Sequence, residues 1–132
     1  MTSVVPNWDA SWTTTSINNS TITDGNTATT AAIDNDLKAV TEISVEVTYD
    51  NTTATEGLKV YILRDIDGTD FEAVADNPTG FQLAVSVSGT HRKTFPIPGD
   101  RISKFKVHVT NDSGASVTST SVRYRQATID IV

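Results

Sequence analysis

Cysteine is absent from the 132-residue chain, which excludes disulfide bonds and thiol chemistry. Methionine occurs once and leucine is scarce, so long helices lack the residues that favour them. No apolar run approaches the ~20 residues of a membrane-spanning helix, and no basic segment followed by an apolar one suggests a signal peptide. Basic residues are also few. The net charge of −6 predicts no nucleic-acid partner, because such binding requires cations facing phosphates.

Threonine is the most prominent residue, with 22 copies, and valine, serine, asparagine and aspartate are also common. Threonine and valine are β-branched and suit a pleated surface, whereas asparagine, aspartate, serine and glycine favour turns. We therefore predict an all-β chain. The expected architecture is an antiparallel, jelly-roll-like β-sandwich of about eight strands.

Alternation of apolar and polar residues marks the strands. The clearest lie at about residues 41–50, 58–65, 81–88, 101–110 and 117–126, with shorter ones near 95–97 and 128–132. Asp67-Gly68 is typical of a hairpin turn. Pro96 and Pro98 restrict their strand to a sheet edge or a strand end, because proline donates no backbone hydrogen bond.

Residues 1–36 differ from the rest, since they are rich in Thr and Asn and poor in large apolar side chains. We predict a polar, extended N-terminal arm over residues 1–36 and a β-sandwich domain over residues 37–132. Trp8 and Trp12 alternate with Ala10, so one face of this segment carries both indoles. Two interpretations stay open: the tryptophans cap the domain's own core, or they dock on a neighbouring subunit.

No catalytic motif is visible, and we predict that the chain is not an enzyme and has no cofactor. His91 lies in a polar, turn-like stretch and His108 on the outer face of a strand, so neither has an evident nucleophile beside it. Glu42 and Glu46 lie roughly 13 Å apart along one strand, which is too far for either glycosidase geometry.

Three carboxylates surround a glycine in the segment from Asp65 to Asp70, with Asp67 between them. Oxygen clusters of this kind attract calcium. The spacing does not match an EF-hand, and a hairpin turn explains the same residues. We favour the turn, and a loose calcium site is the alternative.

Charge is unevenly distributed along the chain. Residues 1–90 carry 13 acidic and 3 basic side chains, whereas residues 91–132 carry 3 acidic and 7 basic ones. If residues 101–110 and 117–126 form a hairpin, Arg123 lies near Lys104 and Lys106 on one outer face. Such a basic patch needs acidic neighbours, and Glu42 and Glu46 are the candidates.

The segments ISVEVTYDNTT, LKVYILRD, KTFPIPG, ISKFKVHVTNDSGASVTS and VRYRQA resemble small β-sandwich structural proteins of tailed-bacteriophage virions. The strand that ends in Val-Thr-Asn, its Asp-Ser-Gly-Ala-Ser turn and the Ser/Thr-rich return strand carry most of the resemblance, which covers about two-thirds of the chain. It implies a virion protein assembled in the host cytoplasm.

The most specific role that the resemblance implies is a capsid decoration (cement) protein that binds the major capsid protein or another virion protein. Such proteins are often trimers, so we expect a homo-oligomer. The expected interface residues are Trp8, Trp12, Lys104, Lys106, Arg123 and Arg125. A tail or neck accessory protein is one alternative, and a carbohydrate-binding β-sandwich module for host adhesion is another.

Overall fold

The computed structural model describes residues 4–49, 54–85, 89–99 and 103–131 and is a sandwich of two antiparallel β-sheets. This confirms the predicted fold class. The strand predicted at 81–88 is observed only at its start, since the strand there is Thr79–Gln82 and residues 83–85 are not in a strand. Residues 86–88, and residues 101 and 102 of the strand predicted at 101–110, lie outside the described residues. Among the residues described, no helix is long and apolar enough to cross a membrane.

The structure has more strands than the sequence predicts, because the N-terminal segment adds several of only two or three residues. The strands are β1 (Val4–Trp8), β2 (Thr13–Thr14), β3 (Ser20–Ile22), β4 (Thr27–Thr29), β5 (Ile33–Asp34), β6 (Val40–Thr48), β7 (Lys59–Arg64), β8 (Thr79–Gln82), β9 (Thr90–Pro98), β10 (Lys104–Thr110) and β11 (Val117–Ile131). One turn of 3₁₀ helix, Val74–Asp76, lies between β7 and β8.

The strands form two sheets, which we call sheet I and sheet II. Sheet I has the order β1-β11-β6-β9, and β2 and β3 also pair with β11. Sheet II has the order β4-β10-β7-β8, and β5 also pairs with β10. The strand with two prolines, β9, is at the edge of sheet I, as its composition predicts.

The core lies between the sheets and follows the alternation seen in the sequence. On the sheet I side, Ile43, Val45 and Val47 are fully buried, and on the sheet II side Phe105 and Val107 are too. Burying each such side chain stabilises the fold by roughly 1.5–3 kcal/mol. The side chains between them in β6 and β11 therefore form the outer face of sheet I.

The described part of the N-terminal segment, residues 4–34, lies along both sheets. Strands β1, β2 and β3 pair with β11, and β4 and β5 pair with β10. Ile17, Ile22 and Ile33 are 2–3% exposed and belong to the core. The backbone of this segment thus finds its hydrogen-bond partners in the chain's own last two long strands.

The hairpin expected between residues 101–110 and 117–126 does not form. The connection at residues 111–116 carries the chain from β10 in sheet II to β11 in sheet I. Asn111 stabilises this connection. Its fully buried side chain forms hydrogen bonds with backbone groups of the turn, which is therefore not a tight hairpin turn. Its amide nitrogen donates to the carbonyls of Ile22 (2.7 Å) and Ala115 (2.9 Å), and its oxygen accepts from the amide of Ser113 (3.0 Å).

Candidate docking face on sheet I

The outer face of sheet I is built in rows, because residues paired across antiparallel strands point to the same side of a sheet. One row joins Arg125 of β11 to Glu42 of β6. The next row joins Arg123 of β11 to Ser44 of β6 and Thr94 of β9. Polar and charged side chains therefore occupy the middle of this face.

One end of the same face is apolar. Trp8 of β1 is paired with Ala127, and Pro6 is paired with Ile129. Trp8 is 36% exposed and Ile129 is 50% exposed. Pro96 and Pro98 of β9 lie exposed on the same side. These residues, Pro6, Trp8, Pro96, Pro98 and Ile129, form what we call the apolar end. Exposed apolar side chains gathered at one end of a face are typical of interaction sites.

Arg125 connects the apolar end to the charged middle. The Cζ atom of its guanidinium lies 4.8 Å from the ring centre of Trp8 and 5.0 Å from that of Trp12. Its Nη2 lies 3.2 Å from Oε2 of Glu42. The guanidinium is thus held by two aromatic rings and one carboxylate, which fixes the two tryptophans relative to the sheet.

A second ion pair lies on the other side of the Arg123 row. Nε of Arg92 donates to Oε2 of Glu46 at 2.7 Å, and Nη2 of the same arginine also bonds this oxygen. Glu42 and Glu46 therefore do neutralise basic residues on the outer face of sheet I. The partner of Glu42, Arg125, is among the expected interface residues but not in the expected basic patch, and Arg92 was not expected from the sequence.

Arg123 is half-buried, its backbone pairs with Thr14 and Ser44, and its guanidinium has no hydrogen bond or ion pair with any residue that the structure describes. It lines a shallow groove of about 260 Å³ with Trp12, Ser44, Arg92 and Thr94. Ser44, Arg92 and Thr94 were missed in the sequence. The one signal in the sequence is that they occupy polar positions, which point outward in strands where apolar and polar residues alternate.

The expected basic patch is divided between the two faces of the sandwich. Lys104 and Lys106 lie on β10 of sheet II, and Arg123 and Arg125 on β11 of sheet I. The Nζ atom of Lys106 lies 4.5 Å from the ring centre of Phe71. Because β10 and β11 belong to opposite sheets, these lysines and arginines cannot contact one partner surface together.

The segment from Asp65 to Asp70 forms a turn held by its own carboxylates. Oδ1 of Asp65 accepts the amide of Gly68 at 2.7 Å, and Gly68 adopts a φ of 96°, which suits glycine. The backbone amide of Asp70, with the amide and hydroxyl of Thr69, lowers the pKa of Asp67 to about 2. Within the described ranges, no three His, Cys, Asp or Glu side chains are placed to hold a metal ion.

The two histidines lie on different sheets, His91 in β9 of sheet I and His108 in β10 of sheet II. Nδ1 of His108 lies 2.7 Å from the hydroxyl of Thr29, and burial lowers the pKa of His108. The ring of His91 lies 5.9 Å from that of the buried Tyr49. The ring of His108 also lies 6.2 Å from that of Tyr61, so both imidazoles pack beside tyrosine rings.

Comparison with known proteins gives likenesses in structure only. No protein-family model matches the chain, and no curated protein matches it. The infectious bursal disease virus VP2 subviral particle is similar at a TM-score of 0.50 and 18% identity, over 96% of this chain and 32% of that one. BuGH86 in complex with neoagarooctaose is similar at a TM-score of 0.54 and 9% identity, over 97% of this chain and 20% of that one.

A third structure, the SPBc2 prophage-derived protein YomS, gives a TM-score of 0.48 and 8% identity over 94% of this chain and 96% of that one. The chain thus spans about a third of VP2 and a fifth of BuGH86. At these identities the likenesses show a shared β-sandwich fold. This fold is found in the infectious bursal disease virus VP2 subviral particle and in BuGH86 in complex with neoagarooctaose.

Proposed function

We propose that this chain is a non-enzymatic virion structural protein, most concretely a capsid decoration protein that docks through the outer face of sheet I. The observation that carries the proposal is the placement of Trp8, Trp12 and Arg125 as one partly exposed cluster beside the apolar end. Tryptophan and arginine are the residues that contribute most to protein–protein binding energy when they lie near the centre of an interface.

The cluster is prepared for docking because Arg125 already holds both indoles in place. Trp8 loses little side-chain entropy when a partner covers it, because its ring is already packed against the guanidinium of Arg125. Stable protein–protein interfaces bury roughly 800 Å² on each side. The outer face of sheet I spans the four strands β1, β11, β6 and β9.

Charge distinguishes this face from the rest of the chain. Its charged residues are Arg92, Arg123, Arg125, Glu42 and Glu46, so the face carries a net charge of +1 within a chain of net charge −6. A partner with apolar and acidic groups would complement it, and such complementarity would fix the register of docking. A decoration protein repeated on a regular shell needs this kind of fixed orientation.

The experiment is a binding assay with shells of the major capsid protein that lack this chain. Ile129→Glu places a charge in the apolar end at a position that is 50% exposed, so the sandwich itself tolerates it. Ile66→Glu is the matched control, because Ile66 is 66% exposed in the turn after β7. We expect I129E to bind the shells at least about tenfold more weakly, while I66E binds like the wild type.

Two results would contradict the proposal. One is a wild-type chain that does not sediment with the shells, and the other is equal binding by I129E and I66E. Immunogold labelling of whole virions distinguishes the related tail or neck role, since the label would then lie at the tail and not over the shell. A homo-oligomer, including a trimer, is part of the proposal and is tested by light scattering.

A carbohydrate-binding module is the second candidate function. The groove beside Arg123 favours it, because an indole, hydroxyl groups and cationic groups there surround a space of limited size. This candidate needs a different experiment, since it concerns a small ligand and not a shell.

A further inference from the structure

The groove on the outer face of sheet I lies over one row of paired residues. Its floor is formed by Ser44 and Thr94, which are directly paired in β6 and β9, and Arg123 is the partner of Ser44 on the other side. Trp12 and Arg92 also line the groove. Short hydroxyl side chains between longer ones create the depression.

The two rows beside the groove each contain a neutralising carboxylate, whereas the groove row contains none. Glu42 pairs with Arg125, and Glu46 pairs with Arg92. Opposite Arg123 the corresponding positions are Ser44 and Thr94. The guanidinium of Arg123 is therefore half-buried without an anionic partner among the described residues, and its hydrogen-bond donors stay available for a ligand.

The chemistry of the groove fits a carboxylate attached to a polyhydroxylated ring. A guanidinium binds a carboxylate through two parallel hydrogen bonds. The hydroxyls of Ser44 and Thr94 both donate and accept hydrogen bonds, as ring hydroxyl groups require. The indole of Trp12 offers an apolar wall with a polar edge. Pockets for drug-sized ligands start at about 300 Å³, so a groove of about 260 Å³ has room for one sugar ring.

We propose that the groove formed by Trp12, Ser44, Arg92, Thr94 and Arg123 binds a uronic acid unit of an acidic polysaccharide. The inference deepens the second candidate function and does not depend on docking to a capsid. An acidic side chain of a protein would satisfy Arg123 alone. It would leave the two floor hydroxyls and the indole without a matching group, so the uronate accounts for more of the site.

The test compares two ligands with the same sugar chain, of which one carries charged carboxylates and the other carries neutral methyl esters that are one methyl group larger. One is an oligogalacturonate, and the other is the same oligosaccharide fully methyl-esterified. Titration of the ¹⁵N-labelled full chain, followed by NMR, measures binding and its location together. We expect the free acid to shift the amide signals of Ser44 and Thr94 and the indole signal of Trp12, and the ester to shift them much less.

Substitution assigns the binding to Arg123. Arg123→Gln is expected to weaken the affinity for oligogalacturonate by about tenfold to a hundredfold, as the loss of a hydrogen bond between charged groups does. Lys104→Gln makes the same change of charge on the exposed outer side of sheet II and should bind like the wild type. Thermal unfolding of both variants shows whether either one has lost its fold.

Several outcomes would overturn the inference. They are no binding of oligogalacturonate, equal binding of the acid and its ester, or equal loss of affinity in R123Q and K104Q. A glutamate-rich peptide is titrated in parallel, and binding of that peptide without binding of the sugar would also overturn it in favour of a protein partner. Capsid shells play no part in these measurements, so failure of the docking proposal leaves them unchanged.

Discussion

The backbone amide of Leu58 donates a hydrogen bond of 3.1 Å to the hydroxyl oxygen of Tyr49. Tyr49 follows β6 in sheet I, and Leu58 precedes β7 in sheet II, so this bond joins the two sheets where the chain crosses between them. Both residues are almost completely buried, at 1% and 0% exposure. The same burial raises the pKa of Tyr49, with the amide of Leu58 opposing it.

Replacing Tyr49 with phenylalanine should destabilise the fold by about 1–3 kcal/mol, because the buried amide of Leu58 loses its acceptor. Urea unfolding monitored by circular dichroism measures the change. Tyr61→Phe is the control, since Tyr61 is half-buried and its hydroxyl makes no hydrogen bond to the described residues. Equal stability of Y49F and the wild type would show that the bond contributes nothing.

Tyr49 also predicts how stability depends on high pH. The pKa of Tyr49 in the fold is raised above the value of about 10 that the unfolded chain has. The stability from this group is therefore complete below about pH 10 and is lost as the pH rises through the folded pKa. Between pH 9 and 11, the wild type should lose stability more steeply than Y49F. Parallel curves for the two proteins would contradict this assignment.

Replacing Asn111 with aspartate should destabilise the fold by about 3 kcal/mol or more. The Asn111 side chain donates hydrogen bonds to the carbonyls of Ile22 and Ala115. An ionised carboxylate has no hydrogen to donate, so it would leave both carbonyls unpaired and repel them. Asn18→Asp, at an exposed position in the same N-terminal segment, is the control for the added charge. The loss in N111D should diminish as the pH falls and the new carboxyl group becomes protonated.

Asp67 should titrate at about pH 2 in the folded chain, where the amide of Asp70 and the amide and hydroxyl of Thr69 stabilise its ionised form. The unfolded value is about 3.9, so the stability from this group is present above that pH and is lost as the pH falls through 2. NMR of the carboxyl carbon measures the midpoint. Thr69→Ala should raise it, and a midpoint near 3.9 in the folded wild type would be inconsistent with the turn.

A chain that begins at Ala39 should fail to fold. It lacks β1 to β5, which pair with β10 and β11, and it loses the burial of Ile17, Ile22 and Ile33, each of which stabilises the fold by roughly 1.5–3 kcal/mol. That sum is comparable to the total stability of about 5–15 kcal/mol of a typical domain. Circular dichroism and light scattering should show an unfolded or aggregated chain. A folded, monodisperse product would show that the N-terminal segment is dispensable.

Much of the sandwich could be predicted because its central strands are amphipathic. In β6 and the residue after it, the four inward residues Ile43, Val45, Val47 and Tyr49 are apolar and buried, and the residues between them are polar. The edge position of β9 followed from Pro96 and Pro98, because proline cannot donate to a neighbouring strand. In both strands, the residue types within the strand were sufficient for the prediction.

The N-terminal strands and the path between the sheets could not be predicted in this way. Ile17, Ile22 and Ile33 are single apolar residues in polar surroundings, and strands of two or three residues are too short to show alternation. The crossing after β10 depends on Asn111, whose four hydrogen bonds reach residues distant in the chain as well as near ones. The sequence does not show whether a polar residue before a turn has an exposed or a buried side chain.

The candidate docking face was likewise predicted in part from the sequence. Trp8, Trp12 and Arg125 were recognised individually by residue type, and the structure brings them together. Lys104 and Lys106 were assigned to the same surface because the strand order was unknown, and they lie on the opposite sheet. The groove beside Arg123 depends on which strand lies next to which, and alternation within one strand carries no information about that.

The length and position of β11 determine when the strands of sheet I can pair during synthesis of the chain. Strand β11 is 15 residues long and pairs with β1, β2, β3 and β6, all of which precede it in the chain. On the ribosome, those four strands emerge before their common partner exists. Sheet I can therefore close only after residue 131 has been synthesised, and contacts between residues so far apart in sequence form slowly, in milliseconds to seconds. During that interval the nascent chain exposes unpaired strand edges, which favour aggregation in proteins generally.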